Sequence, residues 1–328
     1  AIDEKSPYTG GHCKRVPELT MMIADACHHS DSEALKDFKM TDKDRYELTI
    51  AGWLHDCGKV TTPEYVIDKA TKLETIYDRI NTVDTRFEVL KRDATINCLQ
   101  QKVERLSNEP AADCTDLEQV LTDRLKQLND DRDFIRKSNI GGEFMDEALQ
   151  QRVKDIGEYR LTDADGADVN FFNDNEIENL TITRGTLTAD EREVINNHMA
   201  VTIKMLAQLP FPKHLKNVPE YAGGHHERMD GKGYPNGLTR EQMSVQARMM
   251  GIADIFEALS ASDRPYKTGK PLTECLRILG FMKKDNHVDP DIFDVFVRDK
   301  VYLKYAAEFL PKNQIDEVDH SEIPGFKG

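Results

Sequence analysis

The stretch HHERMDGKGYP, residues 225–235, sets two adjacent histidines, His225 and His226, before an acidic residue and a glycine-rich turn ending in Gly233, Tyr234 and Pro235. Adjacent imidazoles on a loop are either exposed side chains with no task or ligands held around one object. Outward from this stretch, similar groups recur. His55 is followed by Asp56 in AGWLHDCGK, at the polar end of an apolar helical run. Asp254 lies in MMGIADIFEAL, an acidic group on an otherwise apolar helix, and His12 and His198 stand in suggestive settings of their own. Any one of these reads most simply as a satisfied structural residue. Together they offer nitrogen and oxygen ligands, a mixture that suits Fe, Mn, Zn or Ni better than Mg or Ca.

Composition narrows the options. The chain has 328 residues, 39% hydrophobic and 31% charged, enough for one large or two modest domains with a real core. Lys+Arg 44 against Asp+Glu 59 gives a net charge of −15, which argues against binding to nucleic-acid polymers or anionic membranes. An anionic small substrate then needs a local basic pocket. The cysteines at 13, 27, 57, 98, 114 and 275 are scattered without a CxxC pair, so free thiols in a reducing compartment are expected. No apolar run approaches the ~18 residues of a membrane helix, and no signal peptide is seen. The chain opens at AIDEKSPY without Met, as a piece of a longer protein would, and a cytoplasmic location is expected.

Apolar spacing predicts helices over 12–30 and 44–59. Ile76, Ile80, Val83, Phe87 and Leu90 then step 4-3-4-3, a coiled-coil-like seam, and Ile96, Leu99, Val103 and Leu106 continue a helix until Pro110. A second helix begins near Asp116 with Leu117, Leu121, Leu125 and Leu128 on one stripe, so a long helical hairpin is expected. Residues 157–187 carry turn signals and short β-like runs. Helical patterning resumes at a capping box, Thr188 to Glu191, and returns at 239–262, 272–283 and 291–309. The expected fold is all-α, with a helical-hairpin arm and a small extended segment inserted over 76–187, between 1–75 and 188–328.

HDCGK, the later His198, HHERMDGKGYP, and ADIFEAL followed by DRPYK together resemble an HD-GYP domain, a branch of the HD metal-dependent phosphohydrolases that hydrolyses cyclic dinucleotides, chiefly cyclic di-GMP. The likeness covers roughly residues 8–75 and 187–285, in the family's motif order. It implies a helical bundle, here with an arm similar to an insertion in a membrane-sensor-coupled subgroup. It also implies two divalent ions per chain, Fe or Mn before Ni or Zn. His12, His55, Asp56 and Asp254 would hold one ion. His198, His225 and His226 would hold the other, with Asp56 bridging. The glycines would let the loop fold around a crowded site. Lys59, one helical turn past His55 if that helix continues, and Arg264 and Lys267 of DRPYK would contact substrate phosphate; the plainer reading of all three is a solvated basic face.

The implied reaction is attack of a metal-bridging hydroxide on the phosphodiester, giving linear pGpG and, in a second cycle, GMP. An inactive cyclic dinucleotide receptor and an enzyme preferring cyclic GMP-AMP are the alternatives, with a purely structural helical scaffold behind them. Members with a third metal place a glutamate four residues before the first histidine; here that position is Tyr8, so two ions are expected. The arm over 76–136, with its regular seam, is expected to be a homodimer contact, unless its two helices bury their stripes only against each other.

Overall fold

In the computed structural model, residues 7–262 and 269–327 are described, with side chains from residue 11 onward. The chain forms two compact units, one from residues 1–67 and 193–328, the other from 68–192. Helices dominate both, and among the described residues the only sheet has two strands.

The first unit is a helical bundle. Helix α1 (Pro7–His29) packs against α2 (Asp42–Leu54). Thr41 opens α2 with a capping box to Asp44, so the first orphan N–H groups are satisfied. Pro17 lies inside α1 without ending it, and Gly52 of α2 sits against it: a Cβ on Gly52 would come 3.1 Å from Pro17. The expected second helix does not continue to residue 59. It stops at Leu54, and a 3₁₀ turn over Cys57–Thr61 follows. A short helix α3 (Glu64–Ile67) ends this part of the unit.

The second unit holds α4 (Ile80–Asn108) and α5 (Thr115–Ile140), antiparallel partners in the expected helical hairpin. Helix α6 (Glu147–Gly157), an antiparallel pair β1 (Arg160–Thr162) and β2 (Asp168–Asn170), and α7 (Asp174–Leu180) follow, with Leu161 opposite Val169 in the ladder. The core here is Val83, Phe87 and Leu90 of α4, Leu128 and Ile135 of α5, Val153 and Ile156 of α6, and Phe171 and Phe172 beyond β2. Val83, Phe87 and Leu90 of the seam, with Ile80 packed beside them, are therefore consumed inside the unit. Ile76 lies before the helix in a turn and is 97% exposed.

The chain returns through α8 (Ala189–Asn196), whose start carries the expected Thr188–Glu191 capping box. In the first unit follow α9 (His198–Ala207), α10 (Val218–Gly223), α11 (Val245–Ser260), α12 (Leu272–Lys284), α13 (Pro290–Arg298) and α14 (Val301–Phe309). Their apolar faces close on Val16, Leu19 and Ile23 of α1 and Leu48 of α2; Phe256, Leu276, Phe293, Phe296 and Tyr305 fill the centre. Among the described residues no helix is long and apolar enough to cross a membrane, and none of the six cysteines is in a disulfide.

Candidate metal centre

Six elements of the first unit converge at one buried point. His12 comes from the second turn of α1, and His55 is the residue that ends α2. Asp56 precedes the 3₁₀ turn, and His198 is the first residue of α9. His225 and His226 follow the Gly224 that ends α10, and Asp254 projects from α11. His12, His55, Asp56, His198 and His225 are buried, and Asp254 is 8% exposed.

Ligand atoms of Asp56, His198, His225 and His226 lie within 4.8 Å of one another, and those of His12, His55 and Asp254 form a second such group. Asp56 stands between the groups. Its Oδ2 is 3.4 Å from His12 Nε2 and 3.3 Å from His55 Nε2. Its Oδ1 is 3.3 Å from His198 Nε2 and 4.0 Å from His225 Nε2. Asp254 Oδ1 is 3.0 Å from His12 Nε2.

The imidazoles are aimed. His55 Nδ1 is 2.6 Å from the Gly52 carbonyl, His225 Nδ1 is 2.7 Å from that of Ala222, and His198 Nδ1 meets that of Ile195. Each Nδ1–H is thereby spent on a carbonyl, so the Nε2 lone pair faces the centre. His226 is held differently, its ring stacked on Tyr234 at 4.9 Å and 19°.

Whether these groups fit metal ions is answered by three atoms. Asp56 Oδ1, His198 Nε2 and His225 Nε2 are buried without a hydrogen-bond partner and point at the same place. The 3.3 Å separation of the first two is close but not aligned as a hydrogen bond. Buried polar atoms left like this are costly, and a divalent ion between them removes the cost. Imidazole with carboxylate is a donor set for borderline divalent ions.

Electrostatics agree. Burial drives His226 down to about 4 and His225 well below the usual histidine range, the latter helped by its histidine neighbours, so both are neutral at pH 7. For Asp56, burial opposes ionisation but is outweighed by Lys59, His55, His12 and His198; its carboxyl lies well below the usual range. Asp254 is likewise depressed, burial being overcome by His12, His226 and His225. Burial also opposes charge on His12, but Asp254, Asp56 and Glu257 together raise it.

Lys59 reaches the site by a route other than the expected helical turn. The 3₁₀ turn brings its Nζ to 2.5 Å from Asp56 Oδ2. Burial lowers the lysine's pKa, yet Asp56 and Asp254 raise it further, so it stays a cation. Arg264 and Lys267 lie outside the described residues, as does the Tyr8 side chain.

Several residues that serve the site were not read from the sequence. Glu257, one turn past Asp254, accepts from His12 and from Arg15, which is one turn past His12. Paired i,i+3 spacing on two helices was the available signal. Gly58 has no room for a side chain: a Cβ would lie 2.0 Å from the His198 carbonyl oxygen and 2.6 Å from Thr202 N. Its N–H donates to Thr202 Oγ1 at 2.9 Å, docking the 3₁₀ turn on the start of α9. In the loop, Glu227 accepts from Asn236 N at 2.7 Å and Leu238 N at 2.9 Å, and Gly233 passes so near that a Cβ would lie 2.4 Å from Glu227 Cα. The GYP turn is thus folded back over the histidine pair, with Tyr234 N donating to the His226 carbonyl.

Residues 173–292 match the HD domain family. A 3'3'-cGAMP-specific phosphodiesterase of Vibrio cholerae is 36% identical over 140 residues, 42% of this chain and 27% of that protein. A cyclic di-GMP phosphodiesterase of Pseudomonas aeruginosa is 38% identical over 114 residues, 35% of this chain and 26% of that protein. One of Thermotoga maritima is 33% identical over 114 residues, 35% and 30% of the two chains. The chain thus spans less than a third of the length of each of these relatives. Over residues 173–292, which carry HHERMDGKGYP, the chain is thus similar to the HD domain family, and HDCGK, which supplies His55 and Asp56 to the two ligand groups, lies before the matched stretch.

Proposed function

We propose that this chain is a metal-dependent phosphodiesterase that opens a cyclic dinucleotide, cyclic di-GMP first, to its linear form. The observation that carries the reading is the pair of ligand groups sharing Asp56, with three partnerless buried atoms converging between them. When bound, two divalent ions lower the pKa of a shared water and neutralise phosphate charge.

The chain's own residues do the rest. His12, His55, Asp56 and Asp254 form one ligand set; His198, His225, His226 and Asp56 form the other. The neutral His225 and His226 keep their lone pairs free at pH 7, and the buried carboxylates stay ionised. Lys59, a cation beside Asp56, is positioned to bind a phosphate oxygen, and Arg264 and Lys267 are proposed to bind the remaining charge. In the overall reaction water oxygen joins phosphorus, and the ribose 3′-oxygen leaves with a proton. One such event gives linear pGpG from cyclic di-GMP; a second gives GMP.

Two ions per chain, iron or manganese, are proposed, with Tyr8 offering no carboxylate for a third. The Vibrio relative's specificity for 3'3'-cGAMP is the observation that favours cyclic GMP-AMP as a second substrate. Six scattered cysteines, none of them in a disulfide, support a reducing, cytoplasmic setting. A homodimer through the arm is proposed from the part of α4 that its own unit leaves uncovered: Ile96, Leu99, Val103 and Leu106 are 51%, 54%, 66% and 41% exposed.

The test is anaerobic reconstitution with Mn(II) or Fe(II), metal analysis, and chromatography of products from both dinucleotides. Two ions per chain with a linear dinucleotide product supports the reading. Binding of the dinucleotide by the metal-loaded protein without any turnover would make it a receptor instead.

A further inference from the structure

Three of the five site histidines share one device: His55, His198 and His225 each turn Nδ1 onto the carbonyl three residues earlier. His12 lies within α1, where the helical ladder engages the carbonyls. Its Nδ1 meets a carboxylate instead, Oε2 of Glu257. The Glu257 side chain is 0% exposed, and its other oxygen accepts from Arg15 Nε at 2.7 Å and lies 2.6 Å from Nη2 of the same guanidinium. Asp254 and Glu257 on α11 are thus linked through His12 and Arg15 on α1 in the order Asp254, His12, Glu257, Arg15. The links join two helices whose ligands belong to the same group.

The two kinds of orienter are not equivalent. A carbonyl dipole fixes the ring, whereas an ionised carboxylate also increases the donor strength of the opposite nitrogen. The group containing His12 has a further advantage, because Asp254 and Asp56 give it two carboxylates where the other group has Asp56 alone. Resting on the two-ion reading above, we infer that Glu257 is a positioning residue that makes the His12, His55 and Asp254 site the tighter of the two, with Arg15 holding its carboxylate in place.

The experiment uses Mn(II) alone. The full chain, stripped of metal, is titrated while free Mn(II) is followed by electron paramagnetic resonance. The unmodified protein should show two binding classes, and His12→Ala should remove the tighter one. Glu257→Gln keeps the shape and removes the charge. It should weaken the tighter class about 10–100-fold and leave the weaker class unchanged. Arg15→Lys is the second variant, should Glu257→Gln not fold; it leaves the carboxylate but loses the two-pronged contact, and should weaken the tighter class severalfold. Thermal unfolding of each metal-free variant separates these class-selective losses from general damage. If Glu257→Gln leaves both affinities unchanged, or lowers both equally, the inference is overturned while the two-ion reading stands. An unmodified protein that binds no Mn(II) would overturn both.

Discussion

Asp56 offers one carboxylate oxygen to each ligand group, with Oδ2 beside His12 and His55 and Oδ1 beside His198. Asp56→Ala should therefore abolish turnover and lower the content of both metals, whereas His225→Ala should lower mainly one. Elemental analysis after anaerobic reconstitution distinguishes the two patterns, and an Asp56→Ala protein with two ions and a normal rate would refute the bridging role. Lys59 touches Asp56 but belongs to neither ligand group. Lys59→Ala should keep the metal count and reduce kcat/KM by about 10–150-fold, the equivalent of ~1.5–3 kcal/mol for one charge-assisted contact. Unchanged kinetics would remove it from the phosphate contacts.

The 3₁₀ turn over Cys57–Thr61 shows why an element matters as much as its side chains. Gly58 lets its backbone lie against the first turn of α9, fixing Asp56 and His198 relative to each other. The atoms a Cβ would strike at Gly58 include backbone of α9, which cannot swing away. Gly58→Ala should thus cost about 1–3 kcal/mol or more by overpacking and lower metal content without touching a ligand. Denaturant unfolding alongside metal analysis checks both halves.

In the other unit, Lys72 is buried with Nζ 2.7 Å and 3.0 Å from the carbonyls of Ile182 and Leu180. Burial brings it down from 10.5 to about 8. Between those values the unfolded chain holds a proton that the folded unit has released. Stability contributed by this residue therefore rises as pH climbs from about 8 towards 10.5, and the burden is present in full below 8. The two carbonyls favour the ammonium, so the gain should fall below the ~3 kcal/mol that the whole shift represents. Denaturation at pH 7.5 and 9.5 should show wild type gaining relative to Lys72→Met; equal pH dependence would contradict the assignment.

For the whole molecule, the open matter is what covers the distal half of the arm. Ile96, Leu99, Val103 and Leu106 step 3-4-3 along α4, the spacing of a coiled-coil seam, and remain largely exposed. Leu99→Asp with Val103→Asp should convert a dimer to a monomer in analytical ultracentrifugation, with Mn(II) binding retained. A wild type that sediments as a monomer, or a double variant that still dimerises, would count against this surface.

The candidate ligands His55, Asp56, His225, His226 and Asp254 were legible in the chain because each sits in a short motif with its own chemistry: the HD pair, the HH pair before a glycine turn, and an Asp on an apolar helix. So were the helical hairpin and the capping box at Thr188, since helical periodicity and caps are properties of a few consecutive residues. Periodicity reports that a face is apolar and not what covers it. Val83, Phe87 and Leu90 are closed over by residues of the same unit, among them Phe171 and Phe172, while the equally regular run from Ile96 to Leu106 is left open. The same limit hid Glu257, whose role depends on α11 crossing α1 so that a carboxylate 245 positions away meets His12. Lys59 made its contact through a 3₁₀ turn that no local pattern distinguished from a continuing helix. Residue type and spacing fix which groups can bind an ion; packing between distant segments fixes which of them meet, and which neighbour aims each one.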